Sequence, residues 1–251
     1  MISYDKFFRP HRIIKHKFLS CITTLSKFTT IYVPSEAARN AYLQDANWLD
    51  HQSQILTKAD QTEYDVTVTA MNDMSTLHAA IGLDNLQKVV SLKVKGSINS
   101  YDLMFMRNQM VNLKHLDLSD ADIVANSYPY YDENGTAYHS VANTLTRYAL
   151  QPRLFSIKLP KSLTCIEDYA LTELTHVGEI EIPTNVLTLG GYAASNLKSL
   201  KALTFAENSK LQTVGYRAFY YCSSLKELSI PGSVTMIDNY AFDYCSSLSK
   251  L

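Results

Sequence analysis

The apolar positions of the last hundred residues fall in a fixed order that recurs. Residues 225–247 read LKELSIPGSVTMIDNYAFDYCSS and residues 200–224 read LKALTFAENSKLQTVGYRAFYYCSS. Earlier copies open at Val177 (VGEIEIPTNVLTLGGYAASNLKS) and Leu154 (LFSIKLPKSLTCIEDYALTELTH), and a further copy opens at Leu248. The openings at 154, 177, 200, 225 and 248 are spaced by 23, 23, 25 and 23 residues. Self-similarity at such a period predicts a solenoid, because one repeat cannot bury its apolar face alone and stacking supplies the core.

Each copy begins with an L-x-x-L-x-L triplet: Leu154, Ile157, Leu159; Val177, Ile180, Ile182; Leu200, Leu203, Phe205; Leu225, Leu228, Ile230. The last two members are two apart, the period of a strand with one face in a core. Pro160, Pro183 and Pro231 end three of these strands, since proline has no N–H for a ladder. The fourth runs into residues 206–210 (AENSK), a longer turn that accounts for its two extra residues. A second apolar point follows (Ile166, Leu189, Val214, Ile237), then a Tyr-Ala or Arg-Ala pair at 169, 192, 217 and 240. Leu171, Ala194, Phe219 and Phe242 come next, then Leu174, Leu197, Cys222 and Cys245. That spacing suits a short helical or 3₁₀ turn dropping one small and one large side chain inward.

Before the regular copies the pattern is looser. Residues 28–34 (FTTIYVP) fit the repeat strand, and residues 35–48 suit a helix capped by Ser35. Residues 50–63 are polar and read as a linker. Residues 64–69 (YDVTVT) alternate as a strand, and the stretch from Ser75 to Val89 suits an amphipathic helix broken near Gly82. Residues 100–112 read as a helix, and Leu113, Leu116 and Leu118 restore the triplet, with Leu92 and Leu116 one repeat apart. Residues 127–139 (SYPYYDENGTAYH) interrupt the order with turn formers and tyrosines and read as an inserted surface loop.

The run L-x-x-L-x-I-P-x-S-V-T-x-I-x-x-x-A-F-x-x-C-S-S-L at residues 225–248 resembles the BspA-type leucine-rich repeat of bacterial surface proteins, also carried by some protist parasites. The resemblance is specific over 154–251 and reaches back more weakly to about residue 62. It implies secreted or cell-surface proteins, some of them adhesins for host matrix or plasma proteins, and carries over no catalytic residues. The expected fold is an α+β repeat solenoid: short parallel strands, short helical or 3₁₀ turns outside, and an N-terminal α/β cap. Residues 1–27 stay unassigned, 28–61 end a preceding repeat block and add the linker, 62–125 form the cap and first repeats, and 126–251 are the repeats proper. With this array ending on Ser249-Lys250-Leu251, the Cys245 layer is expected to lack a cover.

Composition changes this picture little. Net charge is −1 and the pI about 6.6, without the basic field that nucleic-acid binding would need. No run of about 18 apolar residues predicts a membrane helix. Basic residues at 9–17 precede an apolar stretch at 18–33 that faintly resembles a signal peptide, but Lys27 and several threonines interrupt it. Seventeen tyrosines stand against one tryptophan, many at fixed repeat positions, so packing explains much of the excess. Among four cysteines, Cys222 and Cys245 share a repeat position; they read as buried thiols, with a disulfide or metal pair as the alternative. Asp117, Asp120 and Asp122 crowd together without the glycine and distal glutamate of an EF-hand loop. Asn134-Gly135-Thr136 is a glycosylation sequon, meaningful only in a eukaryotic secretory route. No HExxH, G-x-S-x-G, P-loop or G-x-G-x-x-G occurs, and neither cofactor nor metal is expected.

These readings point to a non-enzymatic module that binds protein or glycan, with a spacer presenting another domain as the alternative. The side chains between the apolar strand positions would line the ligand face: Ser156, Lys158, Glu179, Glu181, Thr204, Glu227 and Ser229. In the insertion, Tyr128, Tyr130, Tyr131 and Tyr138 are the candidate recognition residues.

Overall fold

The computed structural model describes residues 31–33, 36–44, 55–57 and 62–250. Residues 1–60 and 61–251 form two compact units. In the first, β1 (Ile31–Val33) pairs in parallel with β2 (Ile55–Thr57), Ile31 opposite Ile55, and α1 (Glu36–Leu43) lies between them in sequence. The polar stretch read as a linker therefore contains a strand. Its three residues ILT are too short an apolar run to stand out among polar neighbours. The expectations for residues 1–27 lie outside the described residues.

The second unit opens with β3 (Thr62–Val68), α2 (Leu77–Ile81) and a 3₁₀ segment (Leu83–Lys88). Gly82, at φ 85°, separates the two helical pieces where the break was expected. Next come β4 (Val89–Ile98), α3 (Ser100–Asn108) and β5 (His115–Ile123). Asn99 and Asp102 close the start of α3 as a capping box. Asp102 is fully buried, and its Oδ1 also accepts from the Ser75 hydroxyl (2.7 Å) and the Thr76 and Leu77 N–H groups (3.0 and 3.3 Å). One carboxylate thus ties together the starts of α2 and α3, a role that no local pattern announces.

The inserted segment is a β-hairpin rather than a loop. Strand β6 (Asn126–Glu133) pairs antiparallel with β7 (Thr136–Ser140) around Asn134-Gly135, both at positive φ. Asn-Gly is the pair that the tightest hairpin turn demands. Arg107 of α3 fixes the neighbouring turn: its guanidinium donates to the Tyr148 and Leu150 carbonyls, both at 2.7 Å, and lies 4.1 Å from the Tyr131 ring centroid. Burial lowers the Arg107 pKa, which the surrounding phenols partly offset.

From there the chain coils with three hydrogen-bonded edges. The strand face holds β3-β4-β5-β9 (β9, Ser156–Lys158), then β11-β13 (Glu179–Ile182 and Ala202–Phe205), then a bridge between Glu227 and Lys250. A second parallel sheet has two-residue strands in the order β8 (Thr144–Leu145), β10 (Cys165–Ile166), β12 (Thr188–Leu189), β14 (Thr213–Val214) and β15 (Met236–Ile237). On the third edge each turn donates to the next repeat, as in Leu171 N–H to Ala193 O (2.7 Å), Ala194 N–H to Ala218 O (2.8 Å) and Phe219 N–H to Ala241 O (2.8 Å). These edges close on one continuous apolar core that includes both triplet and turn positions.

The third edge holds hydrogen-bonded turns, not helices. Tyr148, Tyr169, Tyr192, Arg217 and Tyr240 all sit at positive φ, from 52° to 60°. An L-residue there costs roughly 1–2 kcal/mol, and glycine or asparagine is the usual occupant. Inter-repeat hydrogen bonds and ring contacts offset that cost. The Tyr192 N–H donates to Tyr216 O at 2.9 Å, and the Tyr169 and Tyr192 rings stack at 5.0 Å. Gly190 has its own reason to be glycine: a Cβ there would lie 2.5 Å from the Asp168 nitrogen.

Burial falls off at the last described layer. Leu189 and Val214 are completely buried, whereas Ile237 at the same repeat position is 46 % exposed and Met236 52 %. Cys245 keeps its Sγ turned inward, donating to Phe219 O at 3.1 Å, while Cys222 donates to Ala194 O at 3.1 Å. Both thiols are free, and Cys222 is pushed up by its hydrogen bond with Cys245 and by burial.

Candidate functional site

The strand positions named as candidate ligand contacts project outward from the coil, on its strand face. Ser156, Lys158, Glu179, Glu181, Thr204, Glu227 and Ser229 are all exposed, each next to at least one buried apolar residue (Ile157, Leu159, Ile180, Ile182, Leu203 or Leu228). Parallel pairing sets them in rows: His115 lies opposite Ser156 and Asp117 opposite Lys158, while Glu179 lies opposite Ala202 and Glu181 opposite Thr204. A rigid sheet holds such rows at fixed spacing with little loss of freedom on binding.

Charge divides the face. Over the first strands, carboxylates and ammonium groups interlock: Lys95 with Asp65 (2.9 Å), Lys93 and Lys161 with Asp120 (2.9 and 3.0 Å), and Lys158 with Asp117 (3.0 Å). Hydrogen bonds from Lys93 and Lys161 hold the Asp120 carboxyl down at about 2. Burial pushes Asp117 up, but the Ser119 hydroxyl and N–H, with Lys158, outweigh it and leave it below the usual carboxylate range. The aspartate cluster that resembled a calcium site thus includes two carboxylates already occupied by lysines. Lys158 belongs to this self-paired region, and the His115 ring nitrogen Nδ1 lies 2.9 Å from the Ser156 hydroxyl.

Further along, the pairing stops. Among the described residues, Glu179 and Glu181 have no ion-pair partner, and both project from β11 on the same side. Beyond them Thr204 and Ser229 line a shallow cleft of about 460 Å³. Phe205, Asn208 and Ser209 form one wall and Pro231 the other, so the long 206–210 turn shapes it.

The hairpin tyrosines separate. Tyr130, offered as a recognition residue, is 1 % exposed, and its hydroxyl donates to the Arg147 carbonyl and shares a hydrogen bond with the Thr146 hydroxyl. Burial raises its pKa to about 12. It anchors the hairpin and is withdrawn from the surface. Alternation explains this: Tyr128 and Tyr130 are two apart, but the pairing with β7 is irregular between Asn126 and Tyr131, so the usual in-out order breaks. Tyr128 is 42 % exposed and stacks on Tyr101 at 4.2 Å. Tyr131 and Tyr138 are half-buried and meet Tyr148 edge-on at 5.6 and 5.9 Å.

From Tyr148 the rings continue along the turn edge: Tyr148 to Tyr169 at 5.8 Å, Tyr192 to Tyr216 at 5.6 Å, and Tyr216 to Tyr240 at 5.9 Å. Arg147 lies 4.2 Å from the Tyr169 centroid, and Arg217 between 5.0 and 6.0 Å from four rings. The repeat spacing in the sequence could have signalled most of this file of rings, since Tyr169, Tyr192 and Tyr240 share one repeat position, while Tyr216 stands one residue before it, next to Arg217.

Comparison with known proteins agrees with the geometry. Residues 143–251 match the BspA type leucine rich repeat region in six copies. A leucine-rich repeat protein from Eubacterium ventriosum is similar over 78 % of this chain and 49 % of its own, at 19 % identity and a TM-score of 0.42. One from Bacteroides ovatus is similar over 74 % and 45 %, at 15 % identity and 0.39. A leucine rich cell surface protein from Faecalibacterium prausnitzii is similar over 65 % and 45 %, at 20 % identity and 0.33. The aligned part of this chain spans about half of each of those structures or less. No curated protein matches the sequence. Residues 143–251 are a BspA-type leucine-rich repeat array.

Proposed function

We propose that this chain is a non-catalytic protein-binding module of a secreted or cell-surface protein, and that its ligand sits on the strand face. Residues 62–125 serve as the cap that covers the first repeat, and the repeats supply the surface. The observation that carries this reading is the change in charge along the face. Lys93, Lys95, Lys158 and Lys161 are matched by aspartates, whereas Glu179 and Glu181 stand exposed without an ion-pair partner among the described residues. Unmatched carboxylates on a rigid sheet fit a ligand that brings basic side chains, and the cleft beside Thr204 and Ser229 fits an apolar anchor next to them.

The test is a double charge reversal, Glu179→Lys with Glu181→Lys, read against a panel of purified matrix and plasma proteins on a biosensor surface. The expected result is at least a tenfold loss of binding, steepest at low salt, with an unchanged melting temperature. Undiminished binding would move the site off this face. Lys158→Ser, in the self-paired region, is the control and should lose far less.

A further inference from the structure

The cysteines described here are unpaired, yet the fold brings other oxidisable side chains into register between distant parts of the chain. Tyr101 of α3 and Tyr128 of the hairpin stack at 4.2 Å with 16° between their planes. Tyr221 and Tyr244, on adjacent turns, stack at 5.1 Å and 14°. Nearly parallel rings at these distances bring the carbons beside the phenol hydroxyls close enough to join after small motions. In both pairs solvent reaches at least one ring, since Tyr128 is 42 %, Tyr221 39 % and Tyr244 57 % exposed. Backbone contacts hold the second pair in place, because the Tyr221 N–H donates to Asp243 O at 3.0 Å.

We propose that Tyr101–Tyr128 and Tyr221–Tyr244 are sites of oxidative dityrosine cross-linking, driven by a one-electron oxidant outside the protein. Each phenol gives one electron to the oxidant and its hydroxyl proton to water. The two phenoxyl radicals join through the carbons ortho to oxygen. Each of those carbons then releases its hydrogen as a proton while its oxygen takes one up, which restores two phenols. The net loss per bond is two electrons and two protons. The first bond fastens the hairpin to α3, and the second fastens the turn holding Tyr244 to the turn before it. Both close loops that a disulfide would otherwise close.

The remaining contacts sort by access and angle. Tyr169 and Tyr192 stack at 5.0 Å and 9° but are half-buried, so an oxidant reaches them poorly. Tyr216 and Tyr240 are exposed but meet at 87°, edge to face.

The experiment exposes the dilute full chain to a ruthenium tris-bipyridyl photosensitiser, persulfate and visible light, then maps linked peptides by mass spectrometry. The expected product is a monomer joined at 101–128 and 221–244, two hydrogens lighter per bond. Tyr128→Phe should lose the first link and keep the second, and Tyr244→Phe the reverse, because phenylalanine keeps the stack but has no phenol to oxidise. The cross-linked chain should unfold at higher urea than the doubly substituted chain treated alike. Links chiefly between molecules, equal yield at 169–192 or 216–240, no dityrosine, or an unchanged urea midpoint would each overturn the proposal.

Discussion

Leu189 and Ile237 hold the same position in different repeats, and truncating each to alanine separates stacking from propensity. Leu189 is wholly buried, between Ile166 and Val214 of the flanking strands. Leu189→Ala removes three carbons from a closed layer and leaves a cavity, so it should cost about 3–4 kcal/mol. Ile237 is 46 % exposed, with a strand neighbour on one side only. Ile237→Ala removes three carbons worth about 0.8 kcal/mol each when fully buried; at half burial, with solvent filling the space, the loss is about 1.2 kcal/mol. Urea unfolding followed by far-ultraviolet circular dichroism measures both, and the comparison holds only if the slope with urea stays that of the parent. A threefold ratio is expected. Equal losses, or a loss above about 2 kcal/mol at Ile237, would mean that Ile237 is covered in solution and would refute the link between burial and cost.

Three further outcomes test other parts of the fold. Asp102→Ala strands the Thr76 and Asn99 N–H groups and the Ser75 hydroxyl proton, and should cost about 3 kcal/mol or more by urea unfolding, with Asp102→Asn recovering part of it. Gly190→Ala drives a Cβ into the Asp168 backbone and should cost about 1–3 kcal/mol, whereas Gly232→Ala, with nothing within 4 Å, should be neutral or slightly stabilising. Asp120 titrates at about 2 in the folded chain, below its ordinary 3.8, so its ion pairs stabilise fully above that ordinary value and fade as pH falls toward 2. NMR titration of its carboxyl carbon should show that low midpoint, and Lys93→Met should raise it.

The exposed strand face was legible in the sequence because it follows from alternation alone. Once Ile180 and Ile182 must face a core, Glu179 and Glu181 must face away. Which of those exposed charges are free was not legible. Lys161 meets Asp120 across 41 residues, and that depends on how neighbouring coils align. The hairpin was read as a loop because Pro129 and the clustered tyrosines hide its alternation, although Asn134-Gly135 marks its turn.

The sequence by itself determined the period, the buried rows and the break at Gly82. These are local consequences of side-chain size and of the residue types that backbone geometry tolerates. Only the tertiary structure decided which tyrosines turn inward, as Tyr130 does, and which stack at positive φ along the outer edge. A left-handed tyrosine is unfavourable within its own repeat, and at Tyr169 and Tyr192 the next coil offsets that cost with a carbonyl and a ring. The same reason leaves Ile237 half-exposed while Leu189 is sealed: their local patterns match, and they differ only in what lies on the next layer.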